Sequence, residues 1–139
     1  MSPDVAWDFF SAPANLCLIT PPHMGFEITS GVPPRMYAGQ IISYRVGVFP
    51  GIRVNWVSEI TQVQEPRYFV DEQRCGPYRM WHHEHWLLPT DDGKLLMKDV
   101  VSYQLPGGWL GRLLQPLVGR ELIKIFTFRQ QTLAAQFPP

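Results

Sequence analysis

Between residues 24 and 104 the side chains alternate apolar and polar with a period of two, and turn signals interrupt the pattern at short intervals. Strands are predicted near 24–29, 38–46, 53–64, 67–74, 79–88 and 95–104. The turns between them are Gly31-Val32-Pro33-Pro34, Phe49-Pro50-Gly51, Glu65-Pro66, Gly76-Pro77 and Asp91-Asp92-Gly93. Asp92-Gly93 is a strong hairpin signal, because both residues tolerate the backbone angles of a tight turn. Connections this short leave no room for crossover helices, so the strands must run antiparallel as a meander. The fourteen prolines, about twice the usual ~5% share, fall mostly at these turns.

The two ends of the chain carry a different period. Ser2-Pro3-Asp4 supplies a hydroxyl cap, a proline at the first position and an acid in the first turn. That helix is short, since Ser11-Ala12-Pro13 stops it, and Trp7 and Phe10 lie three apart on one face. Asn15-Leu16-Cys17-Leu18 predicts one more helical turn before Thr20-Pro21-Pro22. Near the other end, Pro106-Gly107-Gly108 breaks the last strand, and Leu110, Leu113 and Leu114 suggest a short helix. Pro116 suits the opening of a longer helix to Gln136, about 30 Å in length. Leu122, Ile125, Phe126, Arg129 and Leu133 form its stripe. One antiparallel sheet and one long helix must bury a sheet face against that stripe. The expectation is a single α+β domain over residues 1–139, with two short N-terminal helices and a curved sheet wrapped around the C-terminal helix. Space for a cavity lies between them.

Alternation also assigns directions to the side chains of WHHEHW, residues 81–86. The sets containing Glu72 and Arg74, His82 and Glu84, and Lys98 and Gln104 belong to the water face. The inner face then carries Phe69, Trp81, Leu87 and Val101 together with Asp71, Gln73, His83, His85, Asp99 and Tyr103. An unpaired carboxylate or imidazole is costly to bury, so these groups must bond to one another, to Arg129, or to a guest. An apolar enclosure with a few convergent polar groups is the usual make-up of a small-molecule site.

Composition narrows the function classes. The formal net charge is zero, which gives no pull toward nucleic acid. No apolar run approaches the ~20 residues of a membrane span. MSPDVAWDFF has neither the basic start nor the apolar stretch of a secretory signal. Cys17 and Cys75 form no metal-binding pair and no disulfide framework, so the expected setting is cytoplasmic and reducing, with inert thiols. No cofactor is implied.

Several stretches taken together resemble a known family. They are FFSAPANLCLITPP; Phe69-Val70-Asp71-Glu72-Gln73 with Gly76-Pro77-Tyr78; Trp81-x-His83-x-His85; and Asp99-x-Val101-x-Tyr103-x-Leu105-Pro106. In this order, over essentially the whole chain, they resemble the bacterial SRPBCC ligand-binding proteins of the START-like, helix-grip superfamily, which includes polyketide cyclase/dehydrase and lipid-transport domains. The resemblance implies a curved sheet gripping a C-terminal helix around a cavity. It implies no single activity, because superfamily members bind lipids, sterols, polyketides or hormones and some are enzymes. Family members begin with a β-strand that this chain lacks. That strand would lie between the strands at 24–29 and 95–104, so both are expected to have unpaired edges. A start codon assigned too late is the expected cause; the alternatives are a partner chain filling the gap, as in a homodimer through the unpaired edge, and a sheet that stays split there.

The expected ligand site comprises Phe69, Asp71, Gln73, Trp81, His83, His85, Asp99, Val101, Tyr103, Phe126 and Arg129. His83 and His85, with Asp99 or Asp71, have the composition of a zinc site, but no further motif supports one. Hydrogen-bonded His–Asp pairs are expected instead, and no metal. The same residues, His83, His85 and Asp99 first among them, suit general acid–base work, although no activated nucleophile accompanies them. Arg129 is expected to neutralise Asp71 or Asp99, and alternatively to hold an anionic ligand group. Trp7, Trp56, Trp81, Phe69, Phe126 and Tyr103 belong to the core, some of them on the cavity wall, while Trp86 and Trp109 lie nearer the surface, Trp109 at a mouth. The function this supports is the binding of a hydrophobic or aromatic small molecule between the sheet and the C-terminal helix. The alternatives are a polyketide cyclase/dehydratase-like enzyme and an interaction protein with a vestigial cavity.

Overall fold

The computed structural model describes residues 2–31, 33–49 and 51–138. Val32 and Pro50, which belong to two of the expected turns, lie outside the described residues. Helix α1 spans Pro3–Phe10, capped by Ser2, whose hydroxyl accepts from the Val5 amide at 3.4 Å. Short 3₁₀ segments follow at Pro13–Ile19 and Pro22–Met24. The strands are β1 (Glu27–Ile28), β2 (Ile41–Phe49), β3 (Ile52–Gln64), β4 (Tyr68–Cys75), β5 (Met80–Pro89) and β6 (Leu95–Gln104). Helix α2 (Trp109–Gln136) ends the chain. The fold is α+β.

All strand pairings are antiparallel and the order in the sheet is β1-β2-β3-β4-β5-β6, a meander open at β1 and β6. Register shifts occur between β2 and β3 at Gly47/Phe49, and between β3 and β4 at Val57/Ser58 and Ile60/Gln62. Such bulges bend and twist a strand, and the sheet is curved.

Three expected boundaries move, each for a local reason. The first strand begins late because Pro22–Met24 turns and Gly25 ends that turn at φ 53, a left-handed angle that glycine adopts without a Cβ clash. The second begins at Ile41 because Gly39, at φ 91, and the Gln40 amide bonded to the Tyr37 carbonyl make a turn of residues 37–40. The third correction is larger. A separate helix over Leu110–Leu114 does not exist: α2 runs unbroken through Pro116. Proline has a helical φ and removes one hydrogen bond, the one to the Arg112 carbonyl. Arg112 and Pro116 are both exposed, so water can serve that carbonyl. At 1.5 Å per residue the 28 residues span about 42 Å.

The packed core is displaced toward one end. Ala6, Trp7, Phe9 and Phe10 of α1, with Ile19, pack on Phe69 and Leu87, and Leu133 and Phe137 close over them. Trp7 meets Phe69 edge-on at 6.2 Å, and Phe9 meets Phe137 at 5.1 Å. Full burial of such a side chain contributes about 1.5–3 kcal/mol. Only the last turns of α2 take part. Further along, the helix stands away from the sheet and the space beneath it is not filled by protein.

Candidate functional site

That space is a cavity of about 1000 Å³ between α2 and strands β2–β5. Its size is at the upper end of small-molecule sites. Alternation along each strand supplies the wall: Ile42, Tyr44 and Val46 from β2, Trp56, Ser58 and Ile60 from β3, Phe69 and Asp71 from β4, and Trp81, His83 and His85 from β5. The helix contributes Leu114, Leu117, Val118, Leu122, Ile125, Phe126 and Arg129. At one end Trp56, Tyr78 and Trp81 meet with ring centroids 4.8–5.5 Å apart.

The polar groups on the wall converge at one place. Cross-strand pairing sets Asp71 beside His83 and His85 beside Asp99. The two imidazoles lie against each other, ring centroids 3.7 Å apart, and His85 is stacked on Phe69 at 4.1 Å. A carboxylate stands on either side of this pair. Asp99 Oδ1 lies 2.8 Å from His83 Nε2 and 3.3 Å from His85 Nδ1. Asp71 Oδ2 lies 2.6 Å from His85 Nε2 and 3.6 Å from His83 Nδ1. Arg129 reaches down from α2, and its Nη1 donates to Asp99 Oδ1 at 3.1 Å. Both imidazoles are deeply shielded, with 5% of their surface exposed.

Burial and partners push the two histidines in opposite directions. Desolvation, followed by the charge of His85, holds His83 down to about 4, so it is neutral near pH 7. His85 is desolvated too, but its bonds to Asp71 and Asp99 outweigh that and raise it above the ordinary value. Asp71 and Asp99 are lowered by the histidines and by Arg129, which overcome their own desolvation. With His85 in the protonated form that its raised affinity favours, the five groups carry two negative and two positive charges and the cluster is neutral as a whole.

Asp71, His83 and His85 could also present ligand atoms to a metal ion, all within 4.8 Å of one another. A dication there would have to displace the proton of His85 and would sit in the field of Arg129. The hydrogen-bonded arrangement needs neither.

Seven of the eleven residues expected at the ligand site line the cavity: Phe69, Asp71, Trp81, His83, His85, Phe126 and Arg129. Four do not. Gln73 turns back on the loop after β4, donating to the Tyr78 carbonyl at 2.6 Å and accepting from the Tyr78 amide at 3.0 Å. Asp99, Val101 and Tyr103 belong to β6, which α2 meets through side chains. Arg129 touches Asp99, and a Cβ on Gly119 would lie 3.4 Å from the Tyr103 hydroxyl. The hollow therefore opens over β2–β5, and Asp99 stands behind the wall. Tyr103 lies instead, with Trp109, Arg79 and Arg112, around an outer hollow of about 420 Å³. Trp109 is 69% exposed, as expected of a surface residue, and lines this outer hollow rather than the main cavity. Tyr44 and Ser58 are among the wall residues not expected at the site from the sequence. The Tyr44 hydroxyl and the Trp56 indole N–H both meet Ser58 Oγ, at 3.2 and 3.0 Å.

No protein-family model matches the sequence, and neither does any curated protein. Among solved structures, the crystal structure of TTHA0849 from Thermus thermophilus is similar, with a TM-score of 0.61 at 18% identity. The match covers 98% of this chain and 92% of that one. At this identity the likeness concerns the fold alone, and the arrangement is compatible with a helix grip.

Proposed function

We propose that this protein is a binding module of the SRPBCC, START-like type, which holds a hydrophobic or aromatic small molecule between the sheet and α2. The supporting observation is the cavity itself: about 1000 Å³, apolar over most of its wall, with a cluster of hydrogen-bonded charged groups at one place. A packed interior has few voids larger than a water molecule, so a hollow of this size is a cost to the fold unless a guest fills it. The polar cluster gives that guest an orientation. A cytoplasmic setting goes with this reading.

A second reading rests on the two histidines. Groups whose proton affinities are driven apart by their surroundings are the usual acid and base of a site. His83 would accept a proton and His85 donate one, as a cyclase or dehydratase requires. The binding reading is preferred because every imidazole nitrogen already faces a carboxylate and the Ser58 hydroxyl on the same wall is bonded to Tyr44 and Trp56 rather than to a base.

Native mass spectrometry of freshly purified protein tests the first reading, with an organic molecule retained by the wild type as the expected result. Leu122→Trp, which extends into the hollow from α2, should lower occupancy roughly tenfold, about 1.4 kcal/mol, while leaving the melting temperature nearly unchanged. Retention that is indifferent to this substitution would place the guest elsewhere. Turnover lost in His83→Ala with binding retained would favour the enzyme.

A further inference from the structure

We infer that the guest is an apolar carboxylic acid, its carboxylate docked against Arg129 and its hydrocarbon or aromatic part lying toward Tyr44, Trp56 and Trp81. This rests on the cavity-binding reading above and adds the chemical class of the ligand.

Arg129 is 7% exposed and lines the cavity, yet its hydrogen bonding is incomplete. Nη1 is committed to Asp99, while Nε is buried with no acceptor. A buried donor on a charged group left without a partner costs about 1–3 kcal/mol or more, so the guanidinium favours any oxygen that can be seated beside it. A carboxylate suits it best, because a planar fork meets two oxygens and both charges are shielded from water.

The arrangement of charge points the same way. Arg129 and His85 face the cavity with Asp71 beside them and Asp99 behind the wall, while the other charged residues of the lining, Glu121 and Lys124, are paired with each other on α2. Toward Trp56 the Tyr44 hydroxyl and the Trp56 indole are taken by Ser58, and the Tyr78 hydroxyl is a single neutral donor, so a carboxylate finds no charged fork among these groups. His83 adds a coupling. It is neutral, and protonation on arrival of an anion would restore the balance of the cluster.

Affinity for the acid should therefore fall as pH rises, because His85 loses its proton above its raised value and the wall becomes more negative. The groups facing His85 are Asp71 and the ring of Phe69 from β4, His83 from β5, Asp99 from β6, and Arg129 from α2 through Asp99. Of these only His83 has an ordinary value near neutrality, and it is already uncharged there.

The test uses 11-(dansylamino)undecanoic acid and its methyl ester, titrated by fluorescence against the purified full chain. The acid should bind roughly tenfold tighter than the ester at about pH 6.5, and the advantage should shrink toward about pH 9. Arg129→Lys, which keeps a cation beside Asp99 but removes the fork, should lose the preference while still binding the ester. Equal binding of acid and ester by the wild type would overturn the carboxylate assignment and leave the cavity reading standing. Binding of neither would overturn both. If the variant does not fold, the wild-type comparison alone decides.

Discussion

Replacing Arg129 with Met removes one charge from a five-membered cluster, and with it the guanidinium that lies 5.3 Å from the Phe126 ring centroid, while keeping an unbranched apolar stem. Breaking a buried ion pair from one side costs about 3–5 kcal/mol. Asp99 keeps two imidazole neighbours, at 2.8 and 3.3 Å, and its side chain is 18% exposed, so the lower end applies, about 3 kcal/mol. For a chain of this length that corresponds to a fall in melting temperature of roughly 9 °C. The loss must also depend on pH. The guanidinium is one of the charges holding His83 down, so without it His83 takes up a proton more readily. Protonation returns the cluster to neutrality, and a rise of one pKa unit is worth about 1.4 kcal/mol. In the variant the histidines' contribution is present below the unfolded value, about 6.5, and is lost as pH rises. The difference between variant and wild type should accordingly be larger at about pH 8 than at about pH 5.5. Thermal melts followed by circular dichroism at the two pH values measure it. A fall below roughly 3 °C at both would show that Asp99 does not depend on Arg129, and an equal fall at both would refute the account of charge balance.

Two further outcomes follow from the same geometry. His83 is held at about 4 in the folded state against about 6.5 unfolded, so it binds a proton more readily in the unfolded chain and its own contribution to wild-type stability should fall by roughly 2 kcal/mol from pH 7 to about pH 5, opposed in part by His85, whose raised value acts in the other direction; denaturant titrations of His83→Gln should show a flatter acid limb than wild type, and an unchanged slope would sink this reading. Gly111→Ala should destabilise the protein even though alanine is the better helix former by about 1 kcal/mol, because the new Cβ would collide with the Pro106 carbonyl oxygen; a melting temperature at or above wild type would contradict the packing at the start of α2.

Strand alternation makes much of this site legible in the sequence. Trp81, His83, His85 and Leu87 share a face because residues two apart must, and Leu87, at 2% exposure, shows how firmly that face is buried. Alternation is a local rule, however, and it stops working where the backbone or a loop intervenes. Gln73 obeys the period but follows a register shift and lies beside a turn, and its amide bonds both backbone groups of Tyr78 much as a neighbouring strand would. Pro116 suits a helix start on sound local grounds. What keeps α2 continuous is one line of side chains, Leu114, Leu117 and Val118 leading to Leu122, which a break at 116 would pull off the cavity. Tyr44 obeys the period as well: Ile42, Tyr44, Val46 and Val48 share one face, opposite Ser43, Arg45 and Gly47. Across the pairing Tyr44 lies opposite Trp56, and Trp56-x-Ser58-x-Ile60 alternates cleanly on the same face.

The position of the hollow also has a physical origin in the order of the sequence. The bulky residues of α1, Trp7, Phe9 and Phe10, arrive at one end of the sheet and meet Phe69 and Leu87 there, so apolar packing is completed locally with only Leu133 and Phe137 from the end of the chain. Nothing comparable is delivered to the other end, where the wall consists of side chains already in contact with their own neighbours, as Trp56 is with Tyr44, Tyr78 and Trp81. One turn before that packed end, the helix is anchored to the sheet at β6 through Arg129 and Asp99 rather than by apolar filling. A charged strut of this kind fixes the separation of helix and sheet, whereas a layer of leucines would close it. On this view the cluster that orients the ligand and the contact that keeps the cavity open are the same five side chains, and this is why substitutions at Arg129 should affect stability and binding together.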